Sequence, residues 1–137
     1  MEDRFKNWQY PEIEEGKFTK YNWIVQNKEG LKLGKYTDIG ALCYINAKNE
    51  VLIEEGVQIG GGCKIYSQDT IGSKEGKIIL KKNSKIGANS VLLPNVTVGE
   101  NSIIAAGSVV KFGTIIPANE IWAGSPARKI RDIWFYV

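Results

Sequence analysis

The chain has 137 residues, Lys+Arg 18 against Asp+Glu 15, and a formal net charge of +3. That length suits one domain with a real core. The small positive excess argues against a duplex-binding surface and suits either an anionic small molecule or ordinary solubility. No histidine is present, which removes the commonest general base and metal ligand from any mechanism. No apolar run reaches membrane-spanning length, and residues 1–10 lack the apolar core of a signal peptide. The expectation is a cytoplasmic protein with neither a membrane nor a nucleic-acid partner.

Residues 1–30 carry Trp8, Tyr10, Phe18, Tyr21 and Trp23 without any regular period, and read as a cap over the first unit of a repeat array. From Leu33 a period of six sets in. Leu33, Ile39, Ile45 and Val51 hold one phase, and Ile53, Ile59, Ile65 and Ile71 hold another, two residues later. The slip falls at Ala47–Glu50, a polar stretch suited to a longer corner. A second slip falls at Gly72–Gly76, which reads as a protruding loop. From Leu80 the beat is unbroken through Ile86, Leu92, Val98, Ile104, Val110, Ile116 and Trp122.

Other positions repeat with it. Glycine follows the bulky residue at Gly40, Gly60, Gly87 and Gly99, and a small or modest residue comes four positions after it, as at Cys43, Cys63, Ser84, Ser90, Ser102 and Ser108. Short strands that turn a corner every six residues produce this pattern, with the bulky residue inward and glycine or asparagine at the corner's positive φ. Three sides close one coil, so residues eighteen apart stack, and stacked strands lie about 4.8 Å apart. Period-two strands would place the inward residues differently, and a helix would not tolerate so many glycines. The prediction is an all-β chain, a parallel β-helix over residues 31–122 within a single domain of residues 1–137. Residues 123–137 read as a short C-terminal helix and tail. Pro126 suits a first turn, and Ile130, Ile133 and Trp134 share one helical face.

These residues resemble the hexapeptide-repeat acyltransferases, a left-handed β-helix family that includes sugar and sugar-nucleotide acetyltransferases. Three stretches carry the resemblance: Ile65–Gly76, the coils from Ile86 to Val110, and Trp122-Ala123-Gly124-Ser125-Pro126-Ala127-Arg128. The resemblance implies a homotrimer with acetyl-CoA in the groove between subunits. By motif position it puts Ala88 and Ala106 against the pantetheine arm, Lys111 further along, and Arg128 and Arg131 near the phosphates or adenine, where guanidinium forks suit phosphate oxygens. Lys111-Phe112-Gly113 departs from the Thr-Lys-Asp that relatives often carry. For the alanines the plain alternative is corner geometry, and for the arginines a solvated face. Cys43 and Cys63 read as buried packing, and without histidine they make an incomplete metal site, so no metal is expected.

Many relatives have a histidine where this chain has Gln68. A histidine there deprotonates an acceptor hydroxyl, whereas glutamine only donates or accepts hydrogen bonds. Three explanations stand. The acceptor is an amine on a nucleotide-linked amino sugar that needs no base, with Gln68 and Asp69 positioning it. Or the chain is an O-acetyltransferase using Asp69 as base, although Asp69 equally fits a carboxylate capping the following loop. Or the protein has lost activity and is a non-catalytic β-helix interaction module, or Gln68 is an engineered replacement. Glu75, in the same loop, carries little weight. A zinc carbonic anhydrase is excluded by the missing histidines, and an ice-binding solenoid by the Lys, Asn, Glu and Gln at outward positions. The reading that ranks first is an acetyl-CoA-dependent N-acetyltransferase acting on a nucleotide-linked amino sugar.

Overall fold

The computed structural model describes residues 5–133, which form a left-handed parallel β-helix of hexapeptide repeats. Three sheets make its sides. The first face stacks Ile24–Gln26, Tyr44–Asn46, Lys64–Tyr66, Val91–Leu92 and Val109–Val110. The second stacks Leu31–Leu33, Val51–Ile53, Ile78–Leu80, Thr97–Val98 and Ile115–Ile116. The third stacks Asp38–Ile39, Gln58–Ile59, Lys85–Ile86, Ile103–Ile104 and Glu120–Gly124.

The register delivers the expected ladders. Ile86 pairs with Ile104 and Ile104 with Trp122 on the third face, while Ile65, Leu92 and Val110 align on the first. Apart from Trp122, which is partly buried, these inward side chains are almost wholly buried, and each contributes roughly 1.5–3 kcal/mol through apolar burial. The small slot beside them is buried too, and its hydroxyls knit coils together. Ser102 Oγ donates to the Pro117 carbonyl at 2.5 Å and accepts the Glu120 N–H at 3.0 Å. Cys43 and Cys63 occupy the same slot as free thiols, each Sγ donating to a backbone carbonyl at 3.1 Å. Hydrogen bonding with the Cys63 thiol, together with burial, pushes the Cys43 pKa up.

Corner asparagines such as Asn89 and Asn101 take positive φ, as does Gly107. The glycine after each bulky residue has a different reason, which the sequence pattern did not disclose. A Cβ on Gly87 would lie 2.3 Å from the backbone nitrogen of Ala106, so the next coil's corner rests directly on it.

Three expectations need correction. The coils begin at Ile24, inside the segment read as a cap, because Ile24–Gln26 pairs in register with Tyr44–Asn46. Of the aromatics assigned to the cap, Trp23 is buried at 2% exposure, whereas Tyr10, Phe18 and Tyr21 are exposed. Ile71 does not point inward: it is 96% exposed at the tip of a hairpin in which Gln68–Asp69 pairs antiparallel with Lys74–Glu75. The chain leaves the coil after Tyr66 and re-enters it at Ile78, so the sixth step from Ile65 falls outside. The Gly72–Gly76 slip thus marks the far half of this hairpin. Third, among the described residues no helix forms after Pro126. Ala127–Asp132 is a strand, antiparallel to Glu120–Gly124. That last coil otherwise ends in unpaired N–H and C=O groups, and pairing them outweighs the marginal stability of a very short helix. Trp134, assigned to the same helical face, lies outside the described residues.

Two outcomes follow. Gly87→Ala should cost about 3 kcal/mol in thermal or denaturant unfolding, against about 1 kcal/mol for Gly107→Ala, whose added Cβ meets nothing within 4 Å. Glu15 accepts the N–H groups of Asn27 at 2.7 Å and Lys28 at 2.8 Å, and these bonds lower its pKa below the usual 4.5. A lowered carboxylate stabilises the fold above its unfolded pKa and loses that contribution as pH falls through the folded value. Proteolysis within the N-terminal segment should therefore accelerate below about pH 4.5, and Glu15→Gln should show the faster cleavage already at pH 7.

Candidate functional site

The hairpin rises from the corner between the first and second faces. Its root is fixed by Ser67, whose buried hydroxyl donates to the Asn46 carbonyl at 2.7 Å and accepts the Asn49 N–H at 3.0 Å. Gln68 follows at once, half-buried, and among the described residues its side-chain amide makes no hydrogen bond within the chain. Asp69 turns to the loop: its Oδ1 accepts the N–H groups of Ile71 at 3.1 Å and Gly72 at 3.2 Å, closing the tip. Glu75 lies opposite Gln68 in the ladder and is exposed.

The outer strand is anchored two coils away. Lys74 Nζ lies 4.9 Å from the centre of the Phe112 ring, and the Asn95 N–H donates to the Gly76 carbonyl at 3.2 Å. The unexpected Phe112 thus has a partner in the hairpin. Lys111, beside it at the same corner, is exposed. Between the hairpin and the outer side of the first face lies an open cleft of about 700 Å³, lined by Gln26, Tyr44, Asn46, Tyr66 and Gln68 among others. The sequence reading missed Tyr44 and Tyr66. They flank the inward Ile45 and Ile65, so strand alternation alone would have turned them outward.

Ala88 and Ala106 lie at a different corner, between the third and first faces, stacked eighteen residues apart. Ala106 lines a shallow groove of about 410 Å³ on the third face with Gly60, Gly87 and Ala105. Gly107 beside it has open space outside its Cα, so this corner offers bare backbone to a slender ligand.

Arg128 and Arg131 sit on the closing strand and are exposed. In a regular strand, residues three apart face opposite ways. Here a register shift pairs Arg131 with Ile121 and Lys129 with Trp122, so Ile130 is the extra residue. Arg128 pairs with Ala123. Because Ala123 and Ile121 are two apart, both arginines come to the same side, the outer side of the third face. Lys129 points the other way and is paired with Glu120 at 3.2 Å and Asp132 at 2.8 Å. Among the described residues no carboxylate pairs with either arginine; Arg131 Nη1 donates to the Asp132 carbonyl at 3.3 Å, and the rest of its guanidinium fork and that of Arg128 face outward, where an anion can reach them.

One chain therefore gathers Gln68, Asp69 and Lys111 at one edge of the first face. It places Ala88 and Ala106 at the other edge, with Arg128 and Arg131 beyond them on the third face. Among the described residues no cluster of three or more His, Cys, Asp or Glu could hold a metal ion, and no helix is long and apolar enough to cross a membrane.

Residues 77–111 match the family model for bacterial transferase hexapeptide repeats (six repeats). The delta-poly-L-ornithine synthetase of Acinetobacter baumannii is 30% identical over 106 residues, 76% of this chain. The match spans only 8% of that much longer protein. Among solved structures, a hexapeptide-repeat acetyltransferase from Vibrio cholerae complexed with acetyl-CoA superposes with a TM-score of 0.75 at 23% identity, over 82% of this chain and 66% of that one. A maltose O-acetyltransferase from Clostridium difficile gives 0.72 at 22% identity, over 83% and 65%. The N-acyltransferase AntD from Bacillus cereus, in complex with dTDP and 3-hydroxybutyryl-CoA, gives 0.68 at 24% identity, over 85% and 79%.

If the Lys74–Phe112 contact holds the hairpin, Lys74→Met and Phe112→Ala should each destabilise it by about 0.5–1 kcal/mol. Hydrogen exchange at the hairpin amides should show this. The double variant should lose no more than either single one, and Phe112→Tyr should restore protection.

Proposed function

The chain is similar to the hexapeptide-repeat acyltransferases in both repeat and fold, and on that premise we propose an acetyl-CoA-dependent N-acetyltransferase acting on the amine of a nucleotide-linked amino sugar. The observation that carries this reading is the hairpin cleft. Its lining holds no histidine, and the one carboxylate there, Asp69, is engaged in closing the hairpin tip. A hydroxyl acceptor needs its proton removed as it attacks, whereas a neutral amine does not.

In the proposed step the amine nitrogen attacks the thioester carbonyl, a C–N bond forms and the C–S bond breaks. The surplus amine proton passes to the departing CoA thiolate, so the products are an amide and free thiol. Gln68 donates a hydrogen bond to the developing oxyanion or accepts one from the amine. Asp69 acts through the loop as a positioning residue. The donor lies along Ala88 and Ala106 with Arg128 and Arg131 on its phosphates, and Lys111, which stands at the Gln68 edge of its own chain, would reach that donor from the neighbouring subunit. The separation of these two sets across the first face favours a homotrimer, in which one subunit's donor groove meets the next subunit's hairpin. Support for an amino-sugar acceptor comes from a variant of AntD complexed with dTDP-4-amino-4,6-dideoxyglucose and coenzyme A. The proposed location is the cytoplasm. O-acetylation with Asp69 as base is less favoured, because its Oδ1 already accepts two backbone N–H groups.

Thiol release from acetyl-CoA with a panel of nucleotide-linked amino sugars tests the proposal. The expected result is turnover whose rate rises with pH as the acceptor amine loses its proton, with no inflection near the histidine pKa of about 6.5. Arg128→Ala should raise KM for acetyl-CoA about tenfold, the loss of one charge-assisted hydrogen bond, and Gln68→Ala should lower kcat with KM little changed. No turnover and no CoA binding by calorimetry would leave only the non-catalytic module.

A further inference from the structure

We infer that the cleft beside Gln68 is the acceptor site and that it recognises a nucleoside diphosphate sugar through Tyr44, Tyr66 and Lys48; the acetyl-transfer part of this rests on the proposed function, the binding part does not. The cleft has a floor, a wall and a rim of different chemistry. The floor is aromatic. Tyr44 and Tyr66 lie on adjacent coils with ring centres 5.5 Å apart and planes tilted by 49°, and both line the open cleft, where a flat ring can be laid against them. The Tyr44 ring is held in place, since its hydroxyl donates to Gln26 Oε1 at 2.5 Å.

The wall is the hairpin, which brings the Gln68 amide to one end. Amides line the floor between: Asn46 stands in register between Gln26 and Tyr66. Its Oδ1 accepts the Lys48 N–H at 3.1 Å, which turns its NH₂ toward a ligand's hydroxyl or carbonyl oxygen. The rim carries the cation. Lys48 is the only basic side chain lining the cleft among the described residues, and it is exposed.

Size and spacing select among ligands. From Gln26 to Tyr66 is two coil spacings, about 10 Å, and a cavity of about 700 Å³ falls within the range of small-molecule sites. A lone hexose would leave most of that space empty. A sugar at Gln68, a diphosphate at Lys48 and a base over the tyrosine rings would fill its length. The acyl donor approaches from the neighbouring subunit's alanine corner, so the cleft itself is left to the acceptor.

The test uses the whole protein with thymidine diphosphate, uridine diphosphate and a free amino sugar as calorimetric probes, without acetyl-CoA. A nucleoside diphosphate is expected to bind, and Tyr66→Ala and Lys48→Met should each weaken it about tenfold or more. The Lys48→Met variant should also lose most of the salt dependence. In turnover, both variants should raise KM for the nucleotide-linked acceptor and leave KM for acetyl-CoA unchanged. Lys48 is exposed and off the core, so its substitution keeps the test valid even if Tyr66→Ala perturbs folding. Diphosphate binding unaffected by both variants would overturn the inference. So would binding of the free amino sugar with no affinity for either diphosphate, even with acetyl transfer intact. Diphosphate binding that both variants weaken, without any acetyl transfer, would uphold the site and refute the proposed reaction.

Discussion

Everything in this molecule depends on coils that close on themselves in three short sides and stack in register. Each side has room for one bulky inward residue, and each corner must turn sharply. The same residue therefore repeats above itself: Ile86 under Ile104 under Trp122. Apolar burial and parallel hydrogen bonding are satisfied by the same stacking, so neither can be altered without the other. The glycines at Gly60 and Gly87 are part of that constraint, because the next corner lies where a Cβ would be.

An interior filled by inward side chains turns both clefts described above to the outside. Function has to be written on the outside, at outward strand positions and at corners where the period can be interrupted without disturbing the core. The hairpin from Gln68 to Glu75 is such an interruption. It leaves from a corner, is rooted by Ser67 on the coil before it, and leans on Phe112 two coils further on. Corners also explain why the candidate groups fall into two sets. The first face separates the Gln68 corner from the Ala88 and Ala106 corner, which is why the proposed function brings in a second copy of the chain.

Much of this was legible in the sequence because hexad periodicity is a property of local spacing. The ladders, the longer corner at Ala47–Glu50 and the buried role of Cys43 and Cys63 all follow from position in the repeat. What was not legible depends on pairing between distant segments. Ile71 kept the count yet left the coil, since counting cannot detect a hairpin whose own strands pair with each other. Residues 127–132 have a pattern compatible with a helix, and only the unpaired edge of Glu120–Gly124 makes them a strand. The arginine pair shows both sides of this. The family resemblance assigned Arg128 and Arg131 to one ligand by motif position, and the bulge at Ile130 is what turns both to one side of the closing strand. Tyr44 and Tyr66 were present as alternating outward residues, but nothing in the sequence distinguished the floor of a cleft from a solvated surface.

The closing strand has a consequence beyond the arginines it carries. A stack of parallel coils has no intrinsic length: its last coil offers the same hydrogen-bonding edge as every coil before it, and a second solenoid could dock there end to end. By reversing direction at Ser125–Pro126, the chain lays an antiparallel strand across the third face's terminal edge. On that face the terminal edge is paired instead of open, so an incoming solenoid would find one of its three docking edges already occupied.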